Sequence, residues 1–306
     1  VFYPVIEITQ ADELEQLGTK SKFWFVTPEG EKHLCKFGRP NTGENWSEKA
    51  ACELAKLLGI PCATYDLASF KGKQAVVSYN LTAKALYLVH GNELLAKVYA
   101  SEYDRENRFR LRQYKLSTVI NFITMLENGS VSLPDDWGSP FKVSGITELF
   151  IAYLLFDAWI GNQDRHDENW GIILAHKNER FSLYLSPSYD HASSLACRMT
   201  DTERGKRLLT NDKGYNLQAY TAKAKTPFFA NDGRRLGTME ALNQAMMLAK
   251  KGKVMRNWFD QLESITADQI FTIFDQFPIG WLSQATIDFT VQYLQENKRT
   301  LLGMRA

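Results

Sequence analysis

A mixed α+β fold in two lobes, a small sheet-bearing N-terminal part and a larger helical C-terminal part, is what this 306-residue sequence predicts. Three observations lead there. Before about residue 80 the apolar residues come in short runs separated by turn chemistry. From about residue 111 they come in long runs of helical character. A polar, charged stretch at residues 161–171 then follows the most apolar of those long runs.

Lys22-Phe23-Trp24-Phe25-Val26 reads as a strand, Thr27-Pro28-Glu29-Gly30 as a reversing turn, and His33-Leu34-Cys35-Lys36-Phe37 as the returning strand. Residues 38–43 hold two Gly, a Pro and an Asn, which makes a loop. Ser47 is expected to cap a helix over residues 48–58, because Ala51, Leu54, Ala55 and Leu58 form one apolar stripe and Gly59 and Pro61 stop it. Residues 73–79 read as a further strand, so the order up to residue 80 is strand, strand, helix, strand. The lobes divide between residues 80 and 115 and are set at 1–82 and 83–306. Residues 116–126 and 145–160 read as helices, the second apolar enough to be buried. Residues 172–175 and 181–185 form a second hairpin. Residues 191–237 lack periodicity and are expected to be loop-rich, with the basic run Arg204-Gly205-Lys206-Arg207 in solvent. Helices return at 238–251, 267–277 and 284–302, where Phe271, Phe274 and Phe277 are expected in the core.

Composition excludes several classes. Apolar residues make up 44% and charged residues 23%, as in ordinary globular chains, and no run approaches the ~18 apolar residues of a membrane span. A net charge of +1 gives no global sign of a nucleic-acid or membrane-surface binder. Cys35, Cys52, Cys62 and Cys197 show no C-x-x-C spacing, so reduced thiols in a cytoplasmic protein are expected. The chain begins at Val1 without a signal-peptide pattern, which leaves a preceding segment open. His33, His90 and His176 are expected at the surface.

The chemistry concentrates in Gly161-Asn162-Gln163-Asp164-Arg165-His166-Asp167-Glu168-Asn169-Trp170-Gly171. Asp164 and Asn169 are five residues apart, the separation of a catalytic-loop base and its metal-binding Asn in phosphoryl-transfer enzymes. Tyr189-Asp190-His191 follows the second hairpin, which can return Asp190 beside Asn169; an amide oxygen and a carboxylate suit Mg²⁺. Lys36 on the first hairpin and Glu48 on the next helix make a phosphate-facing lysine and its carboxylate support. A transition-metal site from Asp164, His166 and Glu168 is the weaker alternative, since no His pair has helical metal spacing.

In this order Lys36, Glu48, the Asp164–Asn169 loop and Tyr189-Asp190 resemble the HipA-like serine/threonine kinases over nearly the whole chain, most closely their compact CtkA-type branch from Helicobacter. The Asp-Arg-His-x-x-Asn loop alone is shared with phosphatidylinositol kinases. The resemblance implies a two-lobed protein-kinase-like fold with ATP and Mg²⁺ as cofactors and a protein serine or threonine as acceptor. It implies that Asp164 handles the acceptor proton, that Asn169 and Asp190 hold Mg²⁺, and that Lys36, positioned by Glu48, neutralises phosphate. Val77 and Tyr79 would lie at the adenine hinge; Arg165 and His166 would organise the loop, His166 at the nucleotide side. The family's departure here is the phosphate-covering loop: no glycine triplet is present, and Gly18 with Ser21, a candidate autophosphorylation site, is the nearest match. An antitoxin-like partner and secretion as an effector follow from family alone. A small-molecule or lipid kinase and a catalytically silent binding module are the alternatives.

Overall fold

The computed structural model describes residues 1–10, 13–14, 21–82, 86–99, 113–135, 137–177, 180–250, 252 and 254–305. Two strands, β1 (Val5–Ile8) and β2 (Glu13–Leu14), precede the predicted hairpin, which is β3 (Lys22–Val26) and β4 (Lys32–Lys36). Helix α1 (Glu44–Leu58) comes next, then β5 (Tyr65–Phe70) and β6 (Lys73–Ser78). The six strands lie in the order β1-β5-β6-β4-β3-β2, antiparallel throughout except where β1 runs parallel to β5. Side chains alternate across a sheet. Phe23, Phe25, Cys35, Ala75 and Val77 therefore share a small core with Ile8 and Ala68 on one face. Lys36, opposite Val76 in the register, takes the other face, against which α1 packs.

The expected order of strand, strand, helix, strand is corrected to four strands before the helix and two after it. β1 and β2 are too short to show a period, and Tyr65-Asp66-Leu67-Ala68-Ser69-Phe70 does not alternate cleanly in polarity. The start of α1 is corrected too. Gly43 is its N-cap, and Ser47 lies inside the helix, where its hydroxyl donates 3.1 Å to the Ser194 carbonyl instead of capping. The predicted stop holds: Gly59 is left-handed at φ 79°, which favours glycine, and Ile60 N–H closes back on the Ala55 carbonyl at 2.9 Å.

Further along are β7 (Tyr87–His90), α2 (Gly91–Val98), α3 (Leu116–Asn128), α4 (Ile146–Ile160), β8 (Gly171–Lys177) and β9 (Arg180–Leu185). Beyond them lie α5 (Asp201–Leu209), α6 (Leu217–Thr221), β10 (Lys225–Phe229), β11 (Arg235–Gly237), α7 (Thr238–Leu248), α8 (Arg256–Ser264), α9 (Ala267–Asp275) and α10 (Gln284–Leu302). Every residue of α4 is buried, as its apolar composition on all sides requires. It forms the axis of the main core, with α3, α7, α10 and α1 packed on it. β7 adds a third strand to the predicted β8–β9 hairpin.

The expectation of a loop-rich, solvated stretch over 191–237 is corrected: it holds α5, α6 and the β10–β11 pair. Arg204 is buried and bonds Asp201 and Thr286, and Arg207 lies over the Tyr215 and Tyr220 rings, so the two arginines of that basic run are structural, while Lys206 is exposed as expected. His33 is buried on β4 rather than at the surface, with its ring against Tyr79. Phe274 and Phe277 are core, but Phe271 is exposed. No described helix is long and apolar enough to cross a membrane.

Candidate active site

The polar loop starts where α4 must stop sharply. Gly161 is left-handed at φ 63°, and a Cβ there would lie 1.7 Å from the Tyr293 hydroxyl oxygen, so the turn admits only glycine. Asp157, one turn before the end of α4, anchors the loop. Arg165 donates to it twice, from Nε and Nη2 at 2.7 Å each, and Asn162 Nδ2 donates at 2.9 Å. The Arg165 guanidinium, 1% exposed, also donates to the Asn169 carbonyl (2.8 Å), Ser188 Oγ (2.8 Å) and His191 Nε2 (3.2 Å). Burial works against its charge, but the Asp157 carboxylate outweighs it and holds the group above its ordinary range. Burial and the same guanidinium push His191 well below the usual imidazole range. His191 is therefore neutral, and its Nε2 accepts from a residue that can only donate.

Within this frame Asp164 N–H donates to Asn162 Oδ1 (3.1 Å), and the Asp164 carbonyl accepts from Asn169 Nδ2 at 2.6 Å. That contact fixes the Asn169 amide with its oxygen turned away from Asp164's main chain. The Asp164 side chain is 44% exposed, with Oδ1 3.9 Å from His166 Nε2 and Oδ2 3.4 Å from the Ser193 hydroxyl, which donates to it. Neighbouring Asp167 is 5% exposed, and burial, with Glu168 beside it, pushes its carboxyl up to about 7.

The β8–β9 hairpin returns the chain to the loop: Ser186 N–H donates to the Gly171 carbonyl (2.9 Å) and Tyr189 Oη to the Glu168 carbonyl (2.9 Å). Asp190 then sits in the left-handed region at φ 58°, with its N–H on Tyr65 Oη at 3.1 Å. An aspartate tolerates that backbone better than most residues, and such strain gathers at functional positions. His191 N–H donates to Glu48 Oε1 (2.7 Å), while Glu48 Oε2 lies 3.8 Å from Lys36 Nζ. Burial alone would depress Lys36, yet the Glu48 and Asp190 carboxylates together hold it above its ordinary value. Lys36, Glu48 and Asp190 thus form one cluster, Asp164 and Asn169 another. Arg165 joins them, bonded to Asn169 on one side and to Ser188 and His191, which flank Asp190, on the other.

Other expected positions stand apart. Gly18 lies outside the described residues, and Ser21 is exposed, its carbonyl accepting from Phe37 N–H at 3.0 Å. Val77 is buried and pairs with Cys35 on one side and Asp66 on the other. Tyr79 gives its N–H to the Thr64 carbonyl (3.1 Å) and its hydroxyl to Asp66 (2.8 Å). His166 is partly buried, with Nδ1 accepting from Glu168 N–H at 3.2 Å. His90 is also partly buried, its Nδ1 2.9 Å from Tyr189 Oη. Among the described residues no three His, Cys, Asp or Glu side chains gather as a metal cage, so Asp164, His166 and Glu168 do not assemble one. Sequence reading missed Asp157, Tyr65, Ser188 and Ser193. Asp157 alone left a signal, a carboxylate inside an apolar run.

Residues 14–268 match the family model described as the HipA-like C-terminal domain. The fold is similar to that of the Helicobacter pylori proinflammatory kinase CtkA, at 20% identity and TM-score 0.71, over 99% of this chain and 97% of that one. It is also similar to HipA from the Shewanella oneidensis MR-1 toxin–antitoxin system, solved with HipB and operator DNA, at 13% identity and TM-score 0.58. That likeness covers 94% of this chain but 64% of HipA, so the chain spans under two thirds of that relative. Among curated protein sequences there is no significant match. With the family model covering most of the sequence and a kinase-like fold around these clusters, the chain belongs to the HipA-like C-terminal domain family.

Proposed function

We propose that this protein moves the γ-phosphoryl group of ATP, with Mg²⁺, to a serine or threonine of a protein. The observation that carries the reading is the position of Glu48, whose two oxygens meet Lys36 Nζ at 3.8 Å and the main chain beside Asp190 at 2.7 Å. One carboxylate thereby couples a charged lysine to a metal-competent aspartate, the arrangement that cradles a nucleotide polyphosphate. Lys36 would neutralise phosphate charge, and Asp190 with the Asn169 amide oxygen would hold the cation. Both are hard oxygen donors, as Mg²⁺ prefers, and the bound cation supplies further neutralisation of the polyphosphate. Asp164, open to solvent, would orient the acceptor hydroxyl and take its proton. The rate would come from positioning and charge.

With Val77 and Tyr79 N–H groups already engaged, adenine would be met by main-chain groups beyond Tyr79. Exposed Ser21 is a proposed autophosphorylation site, and an antitoxin-like partner, as HipB is for HipA, is proposed from family alone. The test is incubation with γ-labelled ATP and Mg²⁺, comparing the wild type with Asp164→Ala and Asp190→Asn. Label on this chain or on a generic protein, lost in both variants, is the expected result. ATP consumption without protein label would move the acceptor to a small molecule or lipid. ATP binding without turnover would replace the reading with a silent binding module.

A further inference from the structure

Ser193 lies three residues beyond Asp190, and its Oγ stands between two groups. It donates to Asp164 Oδ2 at 3.4 Å and accepts from Arg198 Nη2 at 3.2 Å. A hydroxyl has one proton and a guanidinium can only donate, so the serine proton is committed to Asp164. At 3.4 Å the bond is long, as catalytic contacts often are before substrate binds. Arg198 is held in turn by Glu44 Oε1 at 3.2 Å. That carboxylate, 1% exposed, also accepts from Arg39 Nη1 at 2.5 Å and Arg39 N–H at 3.1 Å. Glu44 opens α1, and Glu48 lies one turn further along it. Gly43 N–H on the Cys197 carbonyl (2.7 Å) and Ser47 on Ser194 fasten the same helix end to the same segment.

We infer that Ser193 is a positioning residue for Asp164: it sets the rotation of the base carboxylate, and Arg198 and Glu44 tie that setting to the seat of α1. The inference rests on the phosphotransfer reading above. Removing the serine hydroxyl takes away the contact at Oδ2, a loss of orientation rather than of charge.

The experiment is steady-state ATP turnover for the wild type, Ser193→Ala, Ser193→Thr and Arg198→Met, each first checked for folding by urea unfolding. Ser193→Ala is expected to lower kcat by roughly 10- to 100-fold, a misorientation-sized loss. KM for ATP should stay within about twofold, since orientation and not uniform binding is removed. Ser193→Thr should restore kcat, and Arg198→Met should lower it in the same way as Ser193→Ala, by less. An inert wild type overturns the phosphotransfer reading itself. An active wild type with kcat unchanged in Ser193→Ala, or with kcat and KM lost together and not restored by Ser193→Thr, overturns the role of Ser193 alone. Phosphate found on Ser193 by mass spectrometry overturns it as well, by making the residue an acceptor.

Discussion

Replacing Arg165 with Met removes the cation that holds the loop while leaving the Asp157 carboxylate 4% exposed inside α4. Arg165 makes two 2.7 Å bonds to Asp157 and three more to Asn169, Ser188 and His191. Summing these as charge-assisted bonds would overcount, because folding has already desolvated both ions. The better guide is the cost of orphaning one member of a buried pair, about 3–5 kcal/mol, a large share of the roughly 5–15 kcal/mol that holds a domain folded. Urea unfolding followed by tryptophan fluorescence should show that loss for Arg165→Met. Adding Asp157→Asn removes the stranded charge while keeping an acceptor for Asn162, so the double variant should regain about 2 kcal/mol over the single. ATP turnover should not return with it, because Asn169 and Ser188 still lack the group that spaces them. A single variant within about 1 kcal/mol of wild type, or a double variant that recovers turnover, would refute the reasoning.

Two further perturbations test the same region. Gly161→Ala adds a left-handed alanine and a clash with the rigid Tyr293 ring, so it should destabilise by more than about 2 kcal/mol. Tyr293→Phe removes the clashing oxygen and should recover part of that loss in chemical denaturation; no recovery would put the whole cost in the backbone. Asp167 has its folded carboxyl raised from 3.8 to about 7, chiefly by burial. The folded state thus binds the proton more tightly than the unfolded state. This group's stabilisation is full below about pH 4 and is lost as pH rises toward 7, by up to about 4 kcal/mol for three units. Asp167→Asn, neutral at every pH, should match wild type near pH 4 and exceed it at pH 8. A stability gap that does not change with pH would contradict this.

Much of the candidate site was legible because it is local. The five-residue spacing of Asp164 and Asn169, the turn chemistry of both hairpins and the apolar stripe of α1 are all written in short windows. The features that escaped depend on partners far away in sequence. Ser47 has the chemistry of a cap, yet Ser194, distant in the chain, takes its hydroxyl, and the helix starts at Glu44 instead. α5 was readable in principle: Thr200-Asp201-Thr202-Glu203 is a capping signature, and Thr200 does accept from Glu203 N–H. Its polar composition, with Arg204 its one buried residue, hid it from a search for apolar period. The contact of Ser193 with Asp164 has no sequence signature, because it exists only once β8 and β9 fold back.

The two clusters of the site are held by different means. Arg165 is locked on all sides by short bonds to buried partners, so the Asp164–Asn169 loop has little room to adjust without unfolding locally. The Lys36–Glu48 contact is longer, at 3.8 Å, and depends on where the first turns of α1 sit. Those turns carry Glu44, Ser47 and Glu48, all buried, and each is bonded to the segment between His191 and Arg198. Three residues in or beside that segment, Asp190, Leu195 and Ala196, have positive φ, a backbone that persists only where surrounding contacts hold it. Both clusters are therefore seated on the same helix end: Glu48 carries Lys36 to His191, and Glu44 holds Arg198, which in turn holds Ser193 against Asp164. The Arg165 frame meets that seat at His191, whose N–H is given to Glu48 and whose Nε2 accepts from Arg165.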